Sequence, residues 1–274
     1  MSVESMSTSK EPLHFNNIET FSVGKNPPRN EDLIGHNETT IVLSDGATDK
    51  TGQDFEGRSG GELAAQVVVE TCLNSDLYGD SLVDEVTSNL SALYGIINPN
   101  ALTDSAYRFA ATMVAAKLVG DKLIITQVGD SLFRVNGSDL YANSKDVDVL
   151  TANTRKNYIE TTGDIAGSRD FIMPLLKVQH KYQNNSEAPL GYGVIDGTPV
   201  PPKFVKTYIF NRGDVDTLEI VSDGYYGAFP ETLSIAAYEA LHEKIEQTDP
   251  NKCGEFASTK LSDDRTVVIT RLSA

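Results

Sequence analysis

The chain has 274 residues, with 23 Lys and Arg against 39 Asp and Glu, for a formal charge of −16. That length buries a real core in one large domain or two small ones, and a composition 39% hydrophobic and 23% charged is ordinary for a soluble globular protein. The acidic excess argues against nucleic acid as a partner, because phosphate backbones recruit Lys and Arg, and it disfavours anionic membrane surfaces for the same reason.

The first dozen residues are polar and Ser-rich and lack the basic start and apolar stretch of a secretory signal, so 1–12 reads as a mobile tail. No run approaches the roughly 18–20 apolar residues that span a bilayer. Two cysteines, Cys72 and Cys253, make no disulfide framework. A cytoplasmic protein is expected, with 13–274 as a single domain.

Residues 39–44 form a short apolar strand pattern. A helix is predicted over 57–73, where Ser59 and Glu62 have capping-box spacing and Leu63, Ala64, Val67, Val68, Thr71 and Cys72 form one stripe. The pattern repeats over 81–94 through Leu82, Val83, Val86, Leu90 and Leu93. Residues 109–119 and 122–128 flank Gly120-Asp121 and read as a hairpin, with a strand at 132–135 close behind. The stretch 137–216 holds five prolines, is the least regular, and reads as a flap-like insertion. Further strands are predicted at 217–222 and 266–270. Between them a helix over 231–247 follows Pro230 and buries Leu233, Ile235, Ala236, Leu241 and Ile245. Strands this close and this often hairpin-linked predict antiparallel sheets with helices outside, an α+β fold.

Two tripeptides are identical, Ser44-Asp45-Gly46 and Ser222-Asp223-Gly224, and each follows a short apolar run. Each therefore places an Asp where a buried strand leaves the core, beside a Gly that permits a sharp turn or a close approach. Other acids lie at comparable points: Asn30-Glu31-Asp32, Gly129-Asp130-Ser131 and Ser262-Asp263-Asp264. Any one of them alone reads as a turn or a cap. If the strand ends converge, like charges gather at a cost that protons or cations must relieve, and hard oxygen ligands suit Mg²⁺ or Mn²⁺. A pair of such ions sharing a carboxylate can activate water for in-line attack. The four histidines show no metal-binding spacing and read as surface or packing residues.

The order of these pieces resembles the metal-dependent protein phosphatase family (type 2C, PPM), in its bacterial-type form. The resemblance rests on Asn30-Glu31-Asp32, Val42-Leu43-Ser44-Asp45-Gly46 and the helix entry Gly60-Gly61-Glu62. It continues through Ile125-Thr126-Gln127-Val128-Gly129-Asp130-Ser131, Ile220-Val221-Ser222-Asp223-Gly224 and Asp263-Asp264-Arg265-Thr266-Val267-Val268, spanning about residues 20–272.

The resemblance implies a central antiparallel β-sandwich with α-helices on both faces. It also implies two Mn²⁺ or Mg²⁺ ions, and a third, weaker one. By motif match Asp45 bridges the pair, Gly46 offers its carbonyl, Asp223 and Asp263 complete the inner site, Glu31 and Asp32 hold bound waters, and Asp130 serves the third ion. The implied activity is hydrolysis of phosphoserine or phosphothreonine in a phosphorylated protein substrate; a monomer is expected.

The sequence departs from the family pattern in three places. Pro27 stands where the phosphate-gripping Arg is usual, leaving Arg29 or Lys25 for that task. No His follows Asp45-Gly46. A loop over 47–59 precedes the helix entry. These departures motivate the alternative of a catalytically weak pseudophosphatase that binds phosphoproteins as a regulatory module.

Overall fold

A computed structural model describes residues 14–47 and 52–272; the tail predicted over 1–12 and part of the loop after Gly46 lie outside them. The described chain forms ten strands: β1 (Asn16–Val23), β2 (Asp32–His36), β3 (Thr40–Asp45), β4 (Met113–Val119), β5 (Lys122–Val128), β6 (Leu132–Val135), β7 (Asp139–Tyr141), β8 (Lys206–Asn211), β9 (Thr217–Val221) and β10 (Arg265–Arg271). The α-helices are α1 (Gly60–Asn74), α2 (Gly79–Ile97), α3 (Asp146–Thr162), α4 (Ser168–Val178) and α5 (Ile235–Thr248).

The strands make two five-stranded antiparallel sheets, ordered β1-β10-β9-β6-β7 and β2-β3-β4-β5-β8. Period-two alternation then sorts side chains into layers. Ile41, Leu43, Val114, Ala116, Leu123 and Ile125 from one sheet meet Phe133, Leu218, Ile220 and Val268 from the other. The intervening residues face outward into helices. Val42, Met113 and Ala115 pack under α1 and α2, with Val68, Cys72, Leu82, Val86 and Leu90. Val221, Val267 and Ile269 pack under α5 with Tyr238. The layers are those expected from the sequence, and Cys72 packs among them as a free, buried thiol.

Helix α1 begins at a true capping box: Glu62 N–H donates to Ser59 Oγ at 3.1 Å, and Ser59 N–H donates to the Glu62 carboxylate at 2.5 Å. Helix α5 begins later than predicted. Ser234 caps it, Pro230 lies outside it, and Ala236 is exposed while Tyr238 and Ile245 are buried.

The stretch 137–216 is more regular than its prolines suggest, holding β7, α3, α4 and β8. Helix α3 buries few apolar groups, and its interior includes Thr151 and Arg155. Arg155 donates to Ser168 Oγ (3.1 Å) and to the carbonyls of Asn251 (2.9 Å) and Ser258 (3.0 Å), tying α3 to α4 and to the loop that precedes β10.

Candidate active site

The acids singled out in the sequence lie at ends of the two sheets. Asp32 opens β2 and is the register partner of Asp45, which closes β3. Like charges directly opposite across a strand pair are destabilising, so this pairing needs another reason to exist. Asp223 starts a short 3₁₀ turn after β9, Asp263 and Asp264 lead into β10, and Asp130 sits in the turn between β5 and β6.

Close backbone packing brings the ends together, and the glycine of each repeated tripeptide makes it possible. A Cβ on Gly46 would lie 2.4 Å from the Gly61 carbonyl oxygen and 2.7 Å from that of Glu31. A Cβ on Gly224 would lie 2.0 Å from the Asp264 carbonyl oxygen. Buried hydroxyls tie the remaining ends. Asp45 N–H donates to Thr112 Oγ1 (3.0 Å), which shares a hydrogen bond with Ser131 Oγ (2.6 Å). Ser222 Oγ donates to Asp32 Oδ2 (2.7 Å) and accepts from Thr266 N–H (3.0 Å).

The acids divide by what neutralises them. Lys25 Nζ lies 3.2 Å from Glu31 Oε2, 3.4 Å from Asp263 Oδ1 and 3.0 Å from Asp264 Oδ2. Lys260 forms a second ion pair with Asp263. Asp130 faces Lys145 at 3.7 Å, and Lys145 also pairs with Asp148 at 2.7 Å. By contrast, Asp32, Asp45 and Asp223 make no ion pair among the described residues. Asp32 is 4% exposed, and Asp32 Oδ1 and Asp223 Oδ1 are buried without a hydrogen-bond partner.

Electrostatics follows that division. Burial pushes the Asp32 carboxyl up to about 6; the Ser222 hydroxyl opposes the shift and the charge of Asp223 adds to it. Asp45 is raised well above its ordinary value, first by burial and then by Asp223 and Asp32, with Lys260 pulling the other way. Burial also raises Asp130, against the pull of Lys145. The charge of Asp223 contributes to the rise of Asp32, Asp45 and Asp130 alike. Asp263 and Glu31 instead turn to the lysines.

A cleft of about 750 Å³ opens over this end of the sandwich. Asp45, Gly46, Asp130 and Asp223 line it together with residues of α3, α4 and the loop over 255–260. The lining includes the basic residues Lys145, Arg169, Lys177 and Lys260, none of which the motif reading singled out, and the acids Asp148 and Glu255. A signal for Lys260 was present, since it stands three residues ahead of Asp263 and pairs with it. Of the residues expected to grip phosphate, Arg29 is bound to exposed Asp54 at 3.2 Å, and Lys25 is held among the acids.

Among the described residues no three Asp, Glu, His or Cys side chains converge tightly enough to enclose a metal ion as they stand. The donor set nonetheless suits a hard divalent cation on one side of the cluster. There the orphaned buried oxygens of Asp32 and Asp223 lack the positive partner that buried carboxylates require. On the other side, lysines already supply positive charge.

The sequence matches the family model for protein phosphatase 2C over residues 29–263. Among solved structures the chain is similar to serine/threonine phosphatase Stp1 from Staphylococcus aureus (18% identity, TM-score 0.52, covering 97% of this chain and 98% of that one). It is similar to the same degree to Mycobacterium tuberculosis serine/threonine phosphatase PstP/Ppp (18% identity, TM-score 0.52, covering 94% and 99%). A third likeness is to the PstP catalytic domain crystallised with two manganese ions (17% identity, TM-score 0.53, covering 94% and 98%). At such identities these likenesses concern the fold. No curated protein matches the sequence.

Proposed function

The chain belongs to the protein phosphatase 2C family, and we propose that it is a Mn²⁺- or Mg²⁺-dependent phosphatase of phosphoserine and phosphothreonine in proteins. The observation that carries this reading is the uncompensated trio Asp32, Asp45 and Asp223 beside a cleft that is also lined by Lys145, Arg169, Lys177 and Lys260. In this reading Asp45, Asp223 and Asp32 hold metal, with the Gly46 carbonyl beside them. Glu31 and Asp263 border the site, and Asp130 lies further along the cleft.

A bound divalent ion would supply Lewis acidity toward a phosphoryl oxygen and lower the pKa of water enough to make it a nucleophile near neutral pH. The chain's own part is to position and to attract. Thr112 and Ser131 fix the Asp45 backbone, and Ser222 fixes one Asp32 oxygen and leaves the other buried without a partner. In this reading Lys145, Arg169, Lys177 and Lys260, all lining the cleft, draw a phosphate dianion into it. The net charge of −16 makes this local group of basic residues a selective feature. No helix of the described residues is long and apolar enough to cross a membrane, and the reading is of a cytoplasmic monomer.

Hydrolysis of p-nitrophenyl phosphate and of a phosphothreonine peptide is expected to require Mn²⁺ or Mg²⁺. Asp223→Asn is expected to lower it more than ~100-fold, beyond the usual cost of losing a group that merely supports a metal ligand. Full turnover in excess EDTA refutes the mechanism.

The lysines around Glu31 and Asp263 favour a second reading, a phosphoprotein-binding module of weak activity. Under it, calorimetry shows phosphopeptide affinity that Asp223→Asn leaves intact, and no turnover is detected with any metal.

A further inference from the structure

Lys25 is placed as a cation would be placed. Its Nζ touches carboxylates from three points of the chain, Glu31 (3.2 Å), Asp263 (3.4 Å) and Asp264 (3.0 Å). Its backbone is fixed to the same group, since Lys25 N–H donates to Asp264 Oδ1 at 2.7 Å. The other Asp264 oxygen also accepts from Glu31 N–H at 3.1 Å, so one carboxylate holds both the lysine and the acid it neutralises. The Lys25 side chain is 19% exposed, and those of Asp263 and Asp264 are 9% and 5%.

We propose that the Lys25 ammonium occupies one cation position of this carboxylate cluster, so that the protein takes up a single divalent ion, at Asp32, Asp45 and Asp223. The proposal rests on the metal-dependent reading above and specifies its stoichiometry. Charge decides between the two halves. Among the described residues, the three carboxylates of Glu31, Asp263 and Asp264 face the two ammoniums of Lys25 and Lys260, three negative charges against two positive. Asp32, Asp45 and Asp223 face no ammonium among the described residues within ion-pair distance, and one divalent ion brings them to the same residual charge. A second ion on the lysine side would leave excess positive charge there unless Lys25 were expelled. Lysine suits the role because its ammonium is a compact point charge on a flexible stem, which reaches three acids without demanding the planar geometry of a guanidinium. The orphaned, buried oxygens of Asp32 and Asp223 lie in the half that no described ammonium serves.

The test counts Mn²⁺ bound per chain at saturation, by electron paramagnetic resonance of free and bound Mn²⁺ with metal analysis of the dialysed protein. The full chain is expected to bind one ion, with the signal of an isolated centre. Lys25→Met is expected to gain a second ion that couples magnetically to the first, and Lys25→Arg to remain at one. A coupled pair in the unaltered protein overturns the assignment of Lys25 while leaving the phosphatase reading in place. An unchanged count in Lys25→Met overturns it as well. Absence of bound Mn²⁺ from every form overturns both. If Lys25→Met does not fold, the count on the unaltered protein still decides.

Discussion

Buried charge is used in two opposite ways in this molecule. Between β6, β9 and α5, Glu219 is fully buried yet fully served. Arg134 Nε and Nη2 donate to its two oxygens at 2.7 Å each, Tyr238 OH donates at 2.5 Å, and Arg134 also donates to the Pro230 carbonyl at 2.9 Å. At the end of the sandwich, Asp32, Asp45 and Asp223 are crowded together with like charges and orphaned oxygens. A closed network of this kind fastens a helix to a sheet. An open one is costly for the folded chain by itself, and under the proposed function a divalent ion would complete it.

The comparison is sharpest when each network is cut. Glu219→Ala leaves Arg134 charged and buried without its partner. A loss of about 3–5 kcal/mol is expected, read as a lowered urea midpoint with unchanged slope, and it should be the same with and without Mn²⁺. A loss that Mn²⁺ repairs would break the distinction between the two networks.

Acidity tests the open network. The folded-state value of Asp32, about 6, lies above its unfolded value of ~3.9, so the folded protein binds more protons between those values. Stability without metal is therefore greatest below pH ~4 as far as this group is concerned, and it falls as pH rises through about 6. The size is roughly 3 kcal/mol for Asp32 alone, at about 1.4 kcal/mol per unit. Asp45, raised well above its ordinary value by burial, contributes a decline of the same sign. Millimolar Mn²⁺ should flatten or reverse the slope, because it binds the deprotonated carboxylates. Melting curves across pH with and without Mn²⁺ check this; a metal-free slope of the opposite sign sinks it.

The smallest expected effect is the most discriminating. Asp223→Asn removes one of the mutually repelling charges, so without metal it should melt slightly higher, by about 1 kcal/mol of stability. The same variant should lose the stabilisation that Mn²⁺ confers on the parent by mass action. A variant that stabilises the empty protein while abolishing activity marks a group kept for function. Destabilisation of the metal-free protein would assign Asp223 a structural role like that of Glu219.

The division between legible and illegible elements follows position in the sheets. The strands predicted at 39–44, 109–119, 122–128, 132–135, 217–222 and 266–270 correspond to β3, β4, β5, β6, β9 and β10, the interior strands of the two sheets. The strands without a prediction, β1, β2, β7 and β8, are the four edges. Interior strands carry apolar side chains toward both layers and so advertise themselves as hydrophobic runs. Edge strands are half solvated, as the largely exposed patterns of β1 and β8 show, and carry no such run. Helix α1 was legible through its cap and stripe, and α2 through its stripe. Helix α3 was not, because polar residues such as Thr151 and Arg155 fill its inner face, and α4 was hidden by Pro174 within it.

The amino-acid order by itself determined the apolar framework and the two Ser-Asp-Gly strand ends, because burial and chain reversal leave local signatures in residue type and spacing. It did not determine which acids are neutralised and which stand open. Lys25 reaches Asp264 across 239 positions of chain, and Ser222 reaches Asp32 across 190. Electrostatic compensation depends on distance in space, so the division of the carboxylates into a lysine-bound half and an open half was settled when the two sheets stacked and brought their ends together.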